Sequence, residues 1–158
     1  MFLTQHARLA RLLALAVPAA LLGGAYLSEY GFGLYPCEMC WWQRWPHFAA
    51  VGLALLAYTV TPRRLWIWLA ALAIALSGAI GLFHAGVEYG WWPGITSCAV
   101  IAGGGSGNAL EDIMNTPLVR CDEPAWTLAG ISLAGYNFLV SSAAALAIFV
   151  LMGKDRNA

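Results

Sequence analysis

Four apolar runs, at about 9–27, 41–60, 65–87 and 128–152, dominate this chain. Each is long enough for a hydrocarbon core of about 30 Å, which takes roughly 20 helical residues. Of the 158 residues, 61% are hydrophobic and only 10% are charged, against about 25% charged in an average soluble domain. A single soluble domain of this length could not hide so much apolar surface, so lipid is the expected solvent. The expected fold is an all-α membrane protein: a four-transmembrane-helix bundle, one domain over 1–158, with loops at about 28–40 and 88–127. Net charge is zero, so nothing points to nucleic acid.

The second run is the weakest of the four. Pro46 would cost it a backbone hydrogen bond to Trp42 if the helix were already regular there. Either the regular helix starts near Trp45, with Pro46 in its first turn, or the chain joins it through a kink. Thr61-Pro62-Arg63-Arg64 leaves room only for a tight reversal.

Basic residues give the orientation. Arg8, Arg11, Arg63, Arg64, Lys154 and Arg156 all flank one side of a bundle with an even number of spans. The other side carries Arg44 and Arg120 together with most of the acidic residues. Both termini are therefore expected in the cytoplasm, with both loops outside. The first run, with its basic flank and Gly23-Gly24-Ala25, also has the look of a cleavable secretory signal; its length favours a retained span. Trp41, Trp42, Trp45, Trp91, Trp92, Trp126 and several tyrosines crowd the outer boundary, the pattern of an aromatic belt. Trp66 and Trp68 would serve the inner boundary.

All four cysteines fall on the outer side. Cys37 and Cys40 are separated by two residues, the spacing of thiol–disulfide redox sites and also of zinc ligands. Cys98 and Cys121 have 22 residues between them, with no second Cys-x-x-Cys and no histidine, which argues against a metal. Haem attachment would need a histidine where Trp41 stands. Inert structural disulfides are the plain alternative in an oxidising compartment. A two-residue ring staples almost nothing, whereas closing the longer loop would stabilise it by about 3 kcal/mol.

Cys40 lies at the N-terminal end of span two, where unpaired N–H groups favour a thiolate. Arg44 lies four residues on, hence on the same face of a helical turn, though a snorkelling interfacial arginine has the same placement. The glycine run 103–107 lends the loop around Cys98 conformational freedom. Residues 109–115 suit a short amphipathic helix. Asp122-Glu123-Pro124 reads as a helix start, leading through 126–136 into span four.

These residues resemble the DsbB family, the inner-membrane thiol:quinone oxidoreductases of bacterial disulfide formation. The likeness rests on four spans, on Cys37-Glu38-Met39-Cys40-Trp41-Trp42-Gln43-Arg44, on Cys98 with Cys121, and on Cys121-Asp122-Glu123-Pro124-Ala125-Trp126. It implies a relay in the bacterial inner membrane with four catalytic cysteines. Cys98 would meet a DsbA-like periplasmic thioredoxin-fold protein, with Cys121 as its loop partner. Cys37 and Cys40 would pass electrons to a quinone, ubiquinone or menaquinone, with Arg44 close to its ring and His84 near it; no metal is expected. His47 is expected at the interface, and Glu88 reads either as a proton carrier or, more simply, as a solvated boundary charge. Two rivals stand beside this reading. One is a vitamin K epoxide reductase-like enzyme, in which the Cys-x-x-Cys usually follows the loop pair; the other is a non-catalytic four-span scaffold with structural disulfides.

Overall fold

The computed structural model describes residues 4–96, 99–100 and 118–156. Four long helices make up most of it: α1 Gln5–Phe32, α2 Glu38–Thr59, α3 Arg63–Glu88 and α4 Leu133–Arg156. Three of them, α1, α3 and residues Leu133–Lys154 of α4, are long and apolar enough to cross a membrane. The exception, α2, carries Gln43, Arg44, Pro46 and His47 in its first half, and all four side chains are buried against the other helices.

Helix ends follow local chemistry. Thr4 Oγ1 accepts the Ala7 N–H at 3.3 Å and starts α1. Gly33, at φ 68°, stops it, with the Gly33 and Leu34 N–H groups closing onto Glu29 and Ser28 carbonyls. Cys37 is the N-cap of α2, its sulfur accepting the Cys40 N–H at 3.3 Å, and Glu38 sits favourably in the first turn. The helix therefore begins well before Trp45. Pro46 lies in its interior, where it withholds only the bond that Trp42 would have accepted.

The fourth helix starts later than its apolar run. Residues 127–132 form a tight hairpin, β3 (Thr127–Leu128) against β4 (Ile131–Ser132). Ala129 and Gly130 take positive φ of 51° and 78° at its tip, as a two-residue turn between right-twisted strands requires. Tyr89 pins this hairpin, donating from Oη to the Gly130 carbonyl and accepting the Ser132 N–H. Ser132 Oγ then accepts the Gly135 N–H and caps α4. No helix starts at Asp122-Glu123-Pro124; Arg120 instead grips Asp122 through two hydrogen bonds and holds its carboxyl below the usual range. A second strand pair, β1 (Ala99–Val100) with β2 (Leu118–Val119), closes the long loop. Cys98 and the short helix expected at 109–115 lie outside the described residues.

In the bundle α3 packs against α2 and α4, and α1 packs against α2 and α4. The core is rich in small residues, with Ala10, Ala14, Ala50, Ala54, Ala70, Ala71 and Ala145 around Ile67, Ile74 and Ile148. Small side chains let helix backbones approach closely where lipid supplies no hydrophobic drive. Gly81 is the tightest such point: a Cβ there would come within 3.0 Å of the Ala134 carbonyl and the Asn137 amide. That close approach brings α4's polar face to the site. Arg11 reaches the Ala57 carbonyl and lies over the Tyr58 ring, which puts the basic flank of α1 beside the α2–α3 reversal. Trp66 and Trp68, expected at the inner boundary, pack partly buried on the core, with Trp68 stacked on Phe149.

Candidate functional site

Cysteines gather at the opposite end. Cys37 and Cys121 are buried with Met39 and Val87, and Cys40, Phe83 and Val119 pack against them. The Cys37 and Cys40 sulfurs are 2.9 Å apart. Cys37 Sγ, Cys121 Sγ and a ring nitrogen of His84 all lie within 4.8 Å of one another. Three of the four expected cysteines thus form one cluster. The Cys37 thiol is pushed well above the usual range, first by its contact with the Cys40 sulfur and then by burial. Here the expectation about the helix N-terminus shifts by one partner, because the Cys40 N–H serves the Cys37 sulfur.

Beside this cluster, α1, α2 and α4 enclose a cavity of about 260 Å³ whose wall includes Cys40, Arg44, His47 and Asn137. With α2 regular from Glu38, Cys40 and Arg44 share a face as the i,i+4 spacing requires. Arg44 is not a snorkelling side chain. Its Nη1 lies 2.6 Å from Glu29 Oε2, its Nη2 donates to the Ala25 carbonyl, and Tyr26 and Trp41 flank the guanidinium. The surroundings are mostly apolar with a few convergent polar groups, the make-up of a small-molecule site.

His84 sits on the other side of the sulfurs, away from the large cavity. Its Nε2 is 3.5 Å from Cys37 Sγ and 3.7 Å from Glu88 Oε1. Its Nδ1 is 2.8 Å from Gln43 Nε2. A chain of amides fixes the roles in that last bond. Asn137 Nδ2 donates to the Ser77 carbonyl and to Gln43 Oε1, so Gln43 presents its NH₂ to the Met39 carbonyl and to His84. Nδ1 is therefore the acceptor, and the ring proton of neutral His84 is on Nε2, facing Cys37 and Glu88. The same network buries His47, whose Nε2 lies 2.9 Å from both Asn137 Oδ1 and Ser77 Oγ.

A family model described as Disulfide bond formation protein DsbB matches residues 7–151. The chain belongs to the DsbB family. It is 34% identical over 151 residues to the Disulfide bond formation protein B of Azoarcus sp. (strain BH72), covering 86% of this chain and 87% of that one. With the Disulfide bond formation protein B of Polaromonas sp. (strain JS666 / ATCC BAA-500) it shares 31% identity over 170 residues, 96% of each chain. An uncharacterized protein of Rickettsia prowazekii (strain Madrid E) is 27% identical over 125 residues, 76% of this chain and 73% of its own. No solved structure matches. Membership makes this chain a membrane protein of disulfide bond formation, with the oxidoreductase role that the family implies.

For a DsbB-family chain the His84 tautomer bears directly on metal binding. Two sulfurs and a ring nitrogen this close could suit a soft cation. A ligating Nε2 would need its proton on Nδ1, donated to an acceptor; here Nδ1 itself accepts from Gln43.

Two expectations are corrected. Glu88 is not a solvated boundary charge: its side chain is 6% exposed, and Oε2 has no partner among the described residues. His47 is not interfacial but buried in the amide network. The residues that sequence reasoning passed over are Glu29, Gln43, Ser77 and Asn137. Their signal was present, since polar side chains inside apolar helices face a bundle interior and find partners.

Proposed function

We propose that this protein is a thiol:quinone oxidoreductase that reoxidises a DsbA-like periplasmic dithiol protein and so supports protein disulfide formation. The supporting observation is that Cys40 and Arg44 line one cavity while Cys37, their immediate neighbour, has Cys121 beside it. On this reading α2 is the fourth span, set among three apolar helices. The basic flanks lie in the cytoplasm, and the cysteines face the periplasm across the bacterial inner membrane.

Each sulfur then has a distinct task. Cys98 exchanges with the partner protein, and Cys121 receives the resulting charge. The Cys121 thiolate attacks Cys37 of the Cys37–Cys40 disulfide, forming Cys37–Cys121 and releasing Cys40 as a thiolate. The partner protein's second thiol then displaces Cys98 from their shared bond, and the freed Cys98 thiolate attacks Cys121 of Cys37–Cys121, restoring Cys98–Cys121 and releasing Cys37. Arg44 holds charge at Cys40 and at the cavity wall, and His84 acts through Cys37. A quinone bound in the cavity supplies the two-electron acceptor, ubiquinone or menaquinone. Cys37 and Cys40 close their disulfide as the pair leaves.

Purified protein should oxidise a reduced thioredoxin-fold dithiol only when a quinone is supplied. Equal oxidation without quinone would remove the reading. A membrane-impermeant thiol reagent should label Cys98 in intact cells stripped of their outer membrane; protection of Cys98 would invert the topology.

A further inference from the structure

Two kinds of polar group stand on the wall of the large cavity. Arg44 brings only donors, since a guanidinium has no acceptor. His47, on the same wall and 3% exposed, brings the opposite. Asn137 spends its NH₂ on Gln43 Oε1 and the Ser77 carbonyl, so its Oδ1 is an acceptor. His47 Nε2, 2.9 Å from that Oδ1, must therefore donate. Ser77 Oγ, also 2.9 Å from Nε2, gives its own proton to the Gln43 carbonyl and offers Nε2 a second acceptor. Neutral His47 thus carries its proton on Nε2, which makes Nδ1 a bare acceptor. That Nδ1 is enclosed and has no partner among the described residues. A buried acceptor left without a donor is costly, and in a residue that walls a ligand-sized cavity it calls for an occupant that donates.

We propose that His47 makes the cavity selective for the reduced form of its occupant, Nδ1 accepting a hydrogen bond from a hydroquinone hydroxyl. The inference rests on the quinone reading given above and adds a selectivity to it. A quinone offers carbonyl oxygens, which are acceptors only. Arg44 can donate to them, but His47 Nδ1 would meet them lone pair against lone pair. A hydroquinone offers hydroxyls, which satisfy Nδ1 and still accept from Arg44.

This selectivity acts on the direction of electron flow. Two electrons pass from the Cys37 and Cys40 thiolates as their disulfide closes, two protons enter from the aqueous side, and the quinone becomes a hydroquinone. Holding the product more tightly than the oxidant pulls that exchange forward, by as much as the two affinities differ. Each ten-fold preference raises the two-electron potential of the bound pair by about 30 mV. Asn137 and Ser77 are then positioning residues: they hold the ring proton on Nε2 and so keep Nδ1 an acceptor.

The experiment measures binding rather than turnover. It uses the full-length Cys40→Ser protein, in which sulfur and occupant cannot exchange electrons. The probes are ubiquinone with a single isoprene unit and its hydroquinone, each titrated without oxygen. His47→Gln keeps an amide N–H at the reach of Nε2 and has no atom to replace Nδ1 as acceptor. It should weaken the hydroquinone about ten-fold, the worth of one hydrogen bond, and leave the quinone affinity as it was. The Nδ1 nitrogen chemical shift of His47 gives a readout that needs no substitution at His47. It should report a bare nitrogen in the free and quinone-bound protein, and should move when the hydroquinone is added. Equal weakening of both probes by His47→Gln, or hydroquinone binding that leaves Nδ1 unmoved, overturns the proposal while the quinone reading stands. A proton found on Nδ1 in the quinone complex overturns it in the same way. Failure of both probes to bind either the Cys40→Ser parent or the wild type overturns the quinone reading as well.

Discussion

Arg44 reaches from α2 to Glu29 of α1 with 2.6 Å between Nη1 and Oε2, and neither side chain is more than 12% exposed. The pair ties the cavity wall together and sets the charge beside Cys40. Removing one partner of a buried pair leaves the other uncompensated, a cost of about 3–5 kcal/mol. Glu29→Ala should therefore lower the thermal unfolding temperature clearly. An unchanged melting temperature would show that solvent, not Glu29, neutralises Arg44.

Arg44→Lys should not restore function. Arginine here uses a flat fork, with Nη1 on Glu29, Nη2 on Ala25 and its plane beside Trp41 and Tyr26; an ammonium cannot hold all of these. The KM for quinone should rise ten-fold or more, while Cys37–Cys121 exchange should fall much less, because lysine keeps a positive charge beside Cys40. Equal loss of both would mean that Arg44 only supports the fold.

Asn137 joins Gln43, Ser77, Ser141 and His47 in one buried network. Truncating it to alanine strands several of these groups, each worth about 1–3 kcal/mol when left unsatisfied. Asn137→Ala should be less stable by about 2–4 kcal/mol in denaturant unfolding and should lose the single His84 tautomer. Stability within 0.5 kcal/mol of wild type, a change no larger than an ordinary surface substitution gives, would contradict the network's importance.

The raised Cys37 thiol makes a pH prediction. A group held protonated in the fold binds more protons there than in the unfolded chain once pH passes the unfolded thiol value, about 8.5. Its contribution is fully present below that pH and is lost as pH rises above it. The reduced protein should thus lose stability from about pH 8.5 upward, while the form with Cys37–Cys40 oxidised should not. Parallel curves for the two forms would contradict this.

Much of this was legible in the sequence. Long apolar runs gave the helices to within a few residues, because lipid leaves hydropathy as the dominant pattern. Hydropathy misled at 128–132: Leu128 and Ile131 are apolar, yet Ala129-Gly130 turn the chain in a hairpin before α4 begins. It also hid Glu88 and His47, which look like boundary residues by position but are enclosed by neighbours distant in sequence. The Cys37–Cys40–Arg44 spacing pointed to one face of α2. The meeting of Cys121 with Cys37 depends on how the outer loop folds back, which no local pattern encodes. Glu29 offered only a charge of opposite sign 15 residues before Arg44.

The most direct test feeds the enzyme a small soluble dithiol able to reduce Cys37–Cys40 directly, and follows quinone reduction optically in three proteins. Wild type and Cys98→Ser should both reduce quinone, because a dithiol that reduces Cys37–Cys40 directly bypasses the loop pair. Cys40→Ser should fall to the uncatalysed rate. Full quinone reduction by Cys40→Ser would contradict the account, since Cys40 would then not be the sulfur that hands electrons to the cavity.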